Sequence, residues 1–396
     1  MNIKNENQTP GEYKEQKHTR ITIKSLASEM GISHTTISNA WNNPEKLSAD
    51  LRERIFSYAK SVGFQGPDKL ARALRTGKSD AIGVVFNDSM SYVFIDPHDI
   101  KLMRGIAIRC EEQNINLVLI PLQKGASCKS PSPTTLVDGY ILNATYNNAE
   151  VIQQTLARHL PIVTLDFQLP QYSSVSIDNT CAMRDIATYL LQKGHRHFGI
   201  IAFSSSPGVR GMRHLEQAIV GDNTLMLTRV NACRDVFHEH GIPLGDSWLY
   251  ETQHDEQHGE LAAETLLTAH PAITALICLS DRFVVGAVNY CLRNGLPIPQ
   301  RVAITGFDNM TPEVNGIGLT TIAQDAERKG EIAVELLLKN GPVTHYALEY
   351  QLIVRVLKES NGVVAGPKGA AQRLGLKRTT LLSRMKRLGI NKDELV

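Results

Sequence analysis

The chain has 396 residues, of which 42% are hydrophobic, and a formal net charge of +2. This length and apolar content predict two to three domains with large cores and exclude a disordered protein. No apolar run is long enough to span a membrane, residues 1–19 lack the apolar segment of a secretory signal, and the six cysteines include no CxxC pair. We therefore expect a cytoplasmic protein without a membrane partner, a disulfide framework or a zinc framework.

The charge is distributed unevenly. Residues 1–78 carry 13 Lys and Arg against 8 Asp and Glu, residues 349–396 carry 10 against 4, and residues 79–348 carry 19 against 28. Two basic ends around an acidic middle are typical of phosphate-binding modules attached to a globular domain that does not itself bind nucleic acid. An ordinary solvated surface would give the same count.

Residues 1–19 are polar and predict a flexible arm, and residues 20–65 have the pattern of a helix-turn-helix domain. Leu26 and Met30 give a first helix an apolar face, and Gly31 can adopt the left-handed backbone that ends it. Ser33 then caps a second helix, because its hydroxyl can accept a hydrogen bond from a free backbone N–H two or three residues later.

The second helix has one apolar and one polar face. Ile37, Ala40 and Trp41 form the inward stripe. The outward side chains are short and polar, so this face can hydrogen-bond to DNA: they are His34, Thr35, Ser38, Asn39 and Asn42.

A third helix is expected from Ser48, with apolar residues at spacings of three and four that close a small three-helix core. An ordinary helical hairpin is the alternative. In that case the small Ala27, the turn residue Gly31, the cap Ser33 and the polar outward face would occur together only by chance.

This pattern resembles the DNA-binding headpiece of the LacI family of bacterial repressors, and the likeness continues through residues 66–77, within a predicted hinge helix and linker of residues 66–79. The resemblance implies that Leu74 wedges into the minor groove. It also implies that His34, Thr35 and Asn39 read bases, with Ser38 beside them. Many members have Arg where Asn39 stands, and Asn pairs best with adenine, so we expect a different operator.

Residues 80–342 alternate short apolar runs with helix-like segments, which predicts an α/β fold of parallel sheets covered on both faces. Seven or more strands over about 260 residues suit two doubly wound lobes, whose ligands bind at the carboxyl ends of the strands. The strand-like runs are residues 81–86, 117–120, 138–142, 161–165, 198–202, 275–279 and 302–307.

This middle region resembles the periplasmic-binding-protein-like core of the LacI family, through the motifs at residues 176–179, 193–199 and 306–309. The resemblance implies a small polar effector, sugar-like or another metabolite. Its contacts would fall on Asn87, Asp88, Asp178, Arg229, His254 and Asp281. Carboxylates opposite an arginine suit a polyhydroxyl ligand, although each Asp taken alone could equally be a helix cap or turn residue.

We expect no catalytic residue, no metal site and no cofactor, and therefore no enzyme. His254 and His258 have the i, i+4 spacing of zinc ligands, but Asp255 stands where a zincin has Glu. Residues 77–79 lack the preceding glycine of a phosphate loop. No Ser-His-Asp or Cys-His arrangement can be argued from the spacing.

Residues 343–396 predict a second, C-terminal helical helix-turn-helix. The segment resembles the Fis-type helix-turn-helix that ends bacterial enhancer-binding activators, the formate hydrogenlyase activator in particular. It could add a DNA contact, strengthen dimerisation, or be a fusion with little effect. Its basic face suits a major groove through Lys377, Arg378, Thr380 and Arg384.

Together these features predict a homodimeric, effector-controlled regulator of transcription, with repression the favoured mode, whose partners are double-stranded operator DNA and a small molecule. One headpiece buries too little surface for specific affinity, so two should read a near-palindromic site. A solute-binding or sugar-modifying protein on the same lobes is the alternative, and an architectural DNA-binding protein is a third.

Overall fold

The computed structural model describes residues 21–67, 73, 76–86, 90–121, 136–143, 150–310 and 313–351. The chain divides into two compact units, Met1–Ser79 and Asp80–Val396. The predicted arm lies outside the described residues, as does the predicted C-terminal helix-turn-helix from residue 352 onward. None of the described helices is long and apolar enough to cross a membrane.

The first unit contains the three predicted helices: α1 (Ile23–Met30), α2 (His34–Asn42) and α3 (Ala49–Ser61). They enclose a small core in which Leu26, Ile37 and Ile55 are fully buried. The prediction of a three-helix headpiece is confirmed.

The headpiece helices begin and end where the sequence places caps. Gly31 ends α1 with a φ of 66°, in the left-handed region that glycine adopts without a steric cost. The hydroxyl oxygen of Ser33 accepts a hydrogen bond from the N–H of Thr36, and that of Ser48 accepts one from Leu51. Local capping therefore sets the turn between α1 and α2.

The second unit is built from fifteen described strands and eight described helices. The strands are β1 (Ala81–Phe86), β2 (Asn116–Pro121), β3 (Gly139–Asn143), β4 (Ile162–Leu165), β5 (Ser173–Ile177), β6 (Phe198–Phe203), β7 (Gly211–His214), β8 (Trp248–Thr252), β9 (Ala275–Cys278), β10 (Ala303–Asp308), β11 (Glu313–Val314), β12 (Ile317–Gly318), β13 (Thr320–Gln324), β14 (His345–Leu348) and β15 (Tyr350–Gln351). The helices are α4 (Met90–Val93), α5 (Pro97–Glu112), α6 (Glu150–Leu156), α7 (Asn179–Gln192), α8 (Thr224–Glu239), α9 (Glu256–Ala269), α10 (Asp281–Arg293) and α11 (Ala326–Lys339).

Thirteen of these strands form two sheets, one in each lobe, and β11 and β12 pair separately as a two-stranded antiparallel sheet. The first-lobe sheet has the order β14-β5-β4-β3-β1-β2 and is parallel throughout. The second-lobe sheet has the order β15-β13-β10-β9-β6-β8-β7, and only its two edge strands run antiparallel to their neighbours. This arrangement confirms the predicted pair of parallel-sheet lobes.

The chain passes between the two sheets three times: after β5, after β13 and after β14. The last passage corrects the predicted boundary at residue 342, because β14 pairs with β5 and β15 pairs with β13. The effector domain therefore continues at least to Gln351. These two strands are short edge strands without a continuous apolar run, so they gave no clear signal.

Helix α5 begins at Pro97. The Asp96 carboxylate caps it by accepting hydrogen bonds from the N–H groups of His98 and Asp99, and proline suits the first helical position. On α5, Gly105 lies against α11 so closely that a Cβ would meet the carbonyl oxygen of Glu327 at 1.9 Å. The cap therefore sets where α5 begins, and Gly105 allows α5 to pack closely against α11.

Candidate functional site

The outward face of α2 lies open to solvent. His34 and Thr35, in its first turn, are exposed, whereas Ser38 and Asn39 are half-buried one turn later. All four side chains lie on a helix whose opposite face carries the buried Ile37. The packing of α2 therefore leaves these four polar groups at the surface.

Two asparagines fix the conformation of this surface. The Asn43 amide Nδ2 donates to the Asn39 Oδ1 at 3.1 Å. The Asn42 Nδ2 donates to the Ser38 hydroxyl oxygen at 3.1 Å and to its carbonyl oxygen at 3.0 Å. Because the Asn39 amide is oriented before any ligand arrives, it would lose little rotational entropy on binding.

A chain of buried polar groups connects the two lobes. The Lys329 ammonium on α11 donates to both carboxylate oxygens of Asp166 at 2.7 Å, and to the Gln324 Oε1 at 2.6 Å. The Gln324 Nε2 donates in turn to the Asp308 Oδ1 at 2.5 Å. Asp166 follows β4 and Asp308 ends β10, so the network joins carboxyl ends of strands from the two sheets.

The two carboxylates of this network have opposite pKa shifts. Burial alone would raise the pKa of Asp166, but the charge and hydrogen bonds of Lys329, with the charges of His98 and Arg229, together hold that pKa below its ordinary value. Burial raises the pKa of Asp308, and the charges of His98 and Arg229 counteract this only in part. Among the described residues, Asp308 has no ion pair like that between Asp166 and Lys329. The Oδ1 of Asp308 accepts from the neutral Gln324 amide, a hydrogen bond of the kind that a ligand hydroxyl can also donate.

Arg229, on α8, is buried at the same end of the second-lobe sheet. Its Nε donates to the Asn179 Oδ1 at 2.9 Å, its Nη1 donates to the Leu279 carbonyl at 2.8 Å, and its guanidinium lies 3.5 Å from the centroid of the Phe307 ring. Burial lowers its pKa, which the charges of Asp308 and Asp166 partly counteract. The cation is thus rigidly held beside these two carboxylates.

Asp281 begins α10, directly after β9, and is also buried. Its Oδ1 accepts from the Thr321 hydroxyl at 2.7 Å and its Oδ2 accepts from the Met310 N–H at 2.8 Å. A Cβ on Gly306 would come within 2.2 Å of this carboxylate. Asp281 therefore organises the ends of β10 and β13.

The remaining predicted effector residues differ in position. His254 follows β8 and its Nδ1 lies 2.9 Å from the Tyr92 hydroxyl of the first lobe. Asp178 is exposed, and its carboxylate caps α7 by accepting from the Cys181 N–H at 2.9 Å. Asn87 and Asp88 lie outside the described residues, as do the DNA-binding candidates Leu74, Lys377, Arg378, Thr380 and Arg384.

Sequence reasoning missed Asp166, Asp308 and Lys329. An Asp directly after an apolar run is expected at the carboxyl end of a strand, and this rule would have found both Asp166 and Asp308. No comparable signal identifies Lys329, since a lysine on a helix is ordinarily exposed.

One group of residues has the composition of a metal site. Asp96, His98 and Asp99 each place a ligand atom within 4.8 Å of the others. However, Asp96 already accepts from two backbone N–H groups and from Tyr92, and the Arg282 cation lies 3.7 Å away. These contacts favour a hydrogen-bonded helix cap over a metal ligand.

A helix-turn-helix headpiece followed by a two-lobed α/β domain, with buried polar groups where the lobes meet, is the architecture of ligand-responsive DNA-binding regulators. Comparison with known proteins identifies the group. Residues 187–355 match the periplasmic binding protein-like domain family. The chain is 36% identical over 333 residues to an HTH-type transcriptional regulator of Mycobacterium tuberculosis, which covers 81% of this chain and 91% of the relative.

Solved structures agree with this match. A LacI-family regulator from Corynebacterium glutamicum is 27% identical, with a TM-score of 0.59 over 83% of this chain and 96% of its own. The lac repressor dimer bound to operator shares the fold at 20% identity, with a TM-score of 0.68 over 84% and 97% of the two chains. The chain belongs to the LacI family of transcriptional regulators. The predictions of a DNA-binding regulator and of a protein that is not an enzyme are confirmed by these relatives.

Proposed function

We propose that the protein acts in the cytoplasm as a homodimeric repressor that reads a near-palindromic operator. Its affinity for the operator falls or rises when a small polar effector binds in the cleft between the lobes. The buried network from Asp166 through Lys329 and Gln324 to Asp308 carries this proposal, because it links both lobes at the carboxyl ends of their strands. A ligand that replaces one of its contacts would change the energy of the lobe arrangement.

The headpiece would supply DNA specificity. His34, Thr35, Ser38 and Asn39 lie on the face that enters the major groove in helix-turn-helix proteins, and Leu74 would wedge into the minor groove. The lac repressor, which shares the fold, binds its operator as a dimer. Two copies of this headpiece would read two half-sites in the same manner.

The effector would be a compound with several hydroxyl groups. Asp308 can accept hydrogen bonds from hydroxyls, Arg229 can donate to them, and Asp281 and His254 lie at the same edge of the second-lobe sheet. Fixed donors and acceptors around buried aromatic and aliphatic side chains suit sugars and related polyols. The C-terminal residues Lys377, Arg378, Thr380 and Arg384 would add a second contact to DNA.

The cleft assignment can be tested by thermal unfolding with a panel of sugars and polyols. A ligand near a hundred times its Kd should stabilise the protein by about 2.7 kcal/mol and raise its Tm by about 5 °C. Asp308→Asn should abolish this shift, whereas Asp246→Asn, on the exposed surface of the same lobe, should retain it. The same ligand should change the affinity of the wild type for its operator. An equal Tm shift in Asp308→Asn and in the wild type would place the ligand elsewhere.

A further inference from the structure

A compact set of contacts joins the lobes beside the cleft and is separate from the Asp166–Asp308 network. Tyr92, on α4 of the first lobe, lies with its hydroxyl 2.9 Å from the Nδ1 of His254 in the second lobe. The same hydroxyl lies 3.1 Å from the Oδ2 of Asp96, which caps α5. Arg282, on α10 of the second lobe, places its Nη1 3.7 Å from that Oδ2 and its guanidinium 5.0 Å from the centroid of the Tyr92 ring.

We propose that Tyr92 and Asp96 on one side, with His254 and Arg282 on the other, form a latch that holds the two lobes together in the effector-free protein. This inference extends the proposed function, in which the effector acts by shifting the lobes. It assigns part of the resistance to that shift to four residues outside the Asp166–Asp308 network.

The protons in the latch can be placed. Asp96 is 4% exposed, and although burial alone would raise its pKa, the neighbouring imidazoles and its hydrogen bonds keep that pKa below the ordinary value. Asp96 is therefore an acceptor. The single hydroxyl proton of Tyr92 is donated to this carboxylate, so His254 donates to the Tyr92 oxygen through its Nδ1–H. The bond between the lobes is consequently directional, and it requires the Nδ1-protonated form of His254.

The surroundings of the latch favour a fixed geometry. The His254 ring lies among aromatic rings, with centroids 5.2 Å from that of Phe283 and 5.8 Å from that of Phe203. Both rings belong to the second lobe, and they limit the rotation of His254. Its Nε2 is buried and has no hydrogen-bond partner among the described residues, so the contact with Tyr92 is the polar contact that the structure gives this ring.

Hydrogen exchange of the full-length protein without any added ligand tests the latch. Tyr92→Phe keeps the ring but removes both hydroxyl contacts. Residues 253–258 lie in the opposite lobe, and their amides should exchange roughly three to ten times faster in this variant than in the wild type. Tyr140→Phe is the matched control, since Tyr140 accepts a hydrogen bond from Arg158 within the first lobe and should leave residues 253–258 unchanged.

A double-mutant comparison makes the test specific. If Tyr92 and His254 are partners, then His254→Phe should accelerate exchange in residues 90–99 of the first lobe, and the double variant should exchange no faster than the faster single variant. Wild-type exchange rates in Tyr92→Phe, or accelerations that multiply in the double variant, would overturn the latch. DNA binding by the wild type is measured separately, so a failure of the proposed function is distinguishable from a failure of the latch.

Discussion

Lys329→Met is expected to lower the free energy of unfolding by about 3–5 kcal/mol, because it leaves the buried Asp166 carboxylate without its counter-charge. Lys329 is 0% exposed, and its ammonium makes three hydrogen bonds, two to Asp166 and one to Gln324. Urea unfolding followed by circular dichroism measures the change. The methionine side chain fits a similar volume, so the loss reports the charge and hydrogen bonds more than the packing.

Lys339→Met is the matched control, since Lys339 lies at the exposed end of the same helix. This change should alter the stability by less than about 0.5 kcal/mol. Equal effects of the two substitutions would contradict the assignment of a structural ion pair at Lys329.

The free energy of unfolding should also depend differently on pH in the wild type and in Lys329→Met. The pKa of Asp166 is lowered in the folded state, so its contribution to stability is present above the ordinary pKa of Asp, about 4, and is lost as the pH falls through the lower, folded-state pKa. Lys329→Met removes this contribution and leaves a buried carboxylate that gains from protonation. The stability difference between wild type and variant should therefore shrink as the pH falls, first as the carboxylate of the variant takes up a proton and then, below about pH 4, as the wild type loses the contribution of its ion pair. A constant difference would indicate that Asp166 does not depend on Lys329.

Asn39→Ala is expected to cost about 1–3 kcal/mol of binding free energy at one base pair of each operator half-site. The loss should disappear when that base pair is changed, because a residue that reads a base contributes only to the preferred sequence. Fluorescence anisotropy with a set of single-base operator variants measures this pattern. An equal loss on every sequence would instead indicate a contact with the DNA backbone.

Asn43→Ala tests whether Asn43 acts by orienting Asn39 or by contacting DNA itself. Asn43 holds the Asn39 amide by a hydrogen bond of 3.1 Å. Its loss should weaken discrimination at the same base pair as Asn39→Ala, by a smaller factor, and should leave the other positions unchanged. A loss at a different base pair would show that Asn43 itself touches DNA.

The sequence predicted the parts of the fold that are locally encoded. Strand β1 and strand β10 lie in the interior of parallel sheets, so they are continuous apolar runs that are visible in the sequence. Strand β5 contains Ser173, Ser174 and Ser176, and the edge strands β14 and β15 are short, so these were missed. The predicted starts of the second and third headpiece helices agree with the structure because Ser33 and Ser48 are local caps.

The site was less accessible to sequence reasoning. The positions of Arg229, His254 and Asp281 came from the family resemblance, and their roles as effector contacts stay predictions. Tyr92 and His254 are 162 residues apart, and Lys329 meets Asp166 across 163 residues. Such pairs depend on how the two sheets meet, which no local pattern encodes. Asp178 illustrates the opposite case, since its local role as a helix cap accounts for its carboxylate contact.

The most direct test of the central claim is the set of genomic DNA fragments that the purified full-length protein retains, compared with the fragments retained by a protein that lacks residues 352–396. The deletion begins after Gln351 because β15 belongs to the second-lobe sheet. We predict that both proteins select short near-palindromes with the same half-site, read by the headpiece, and that the full-length chain binds them with a steeper dependence on salt. Retention of fragments without a shared motif would contradict the assignment of operator recognition to α2.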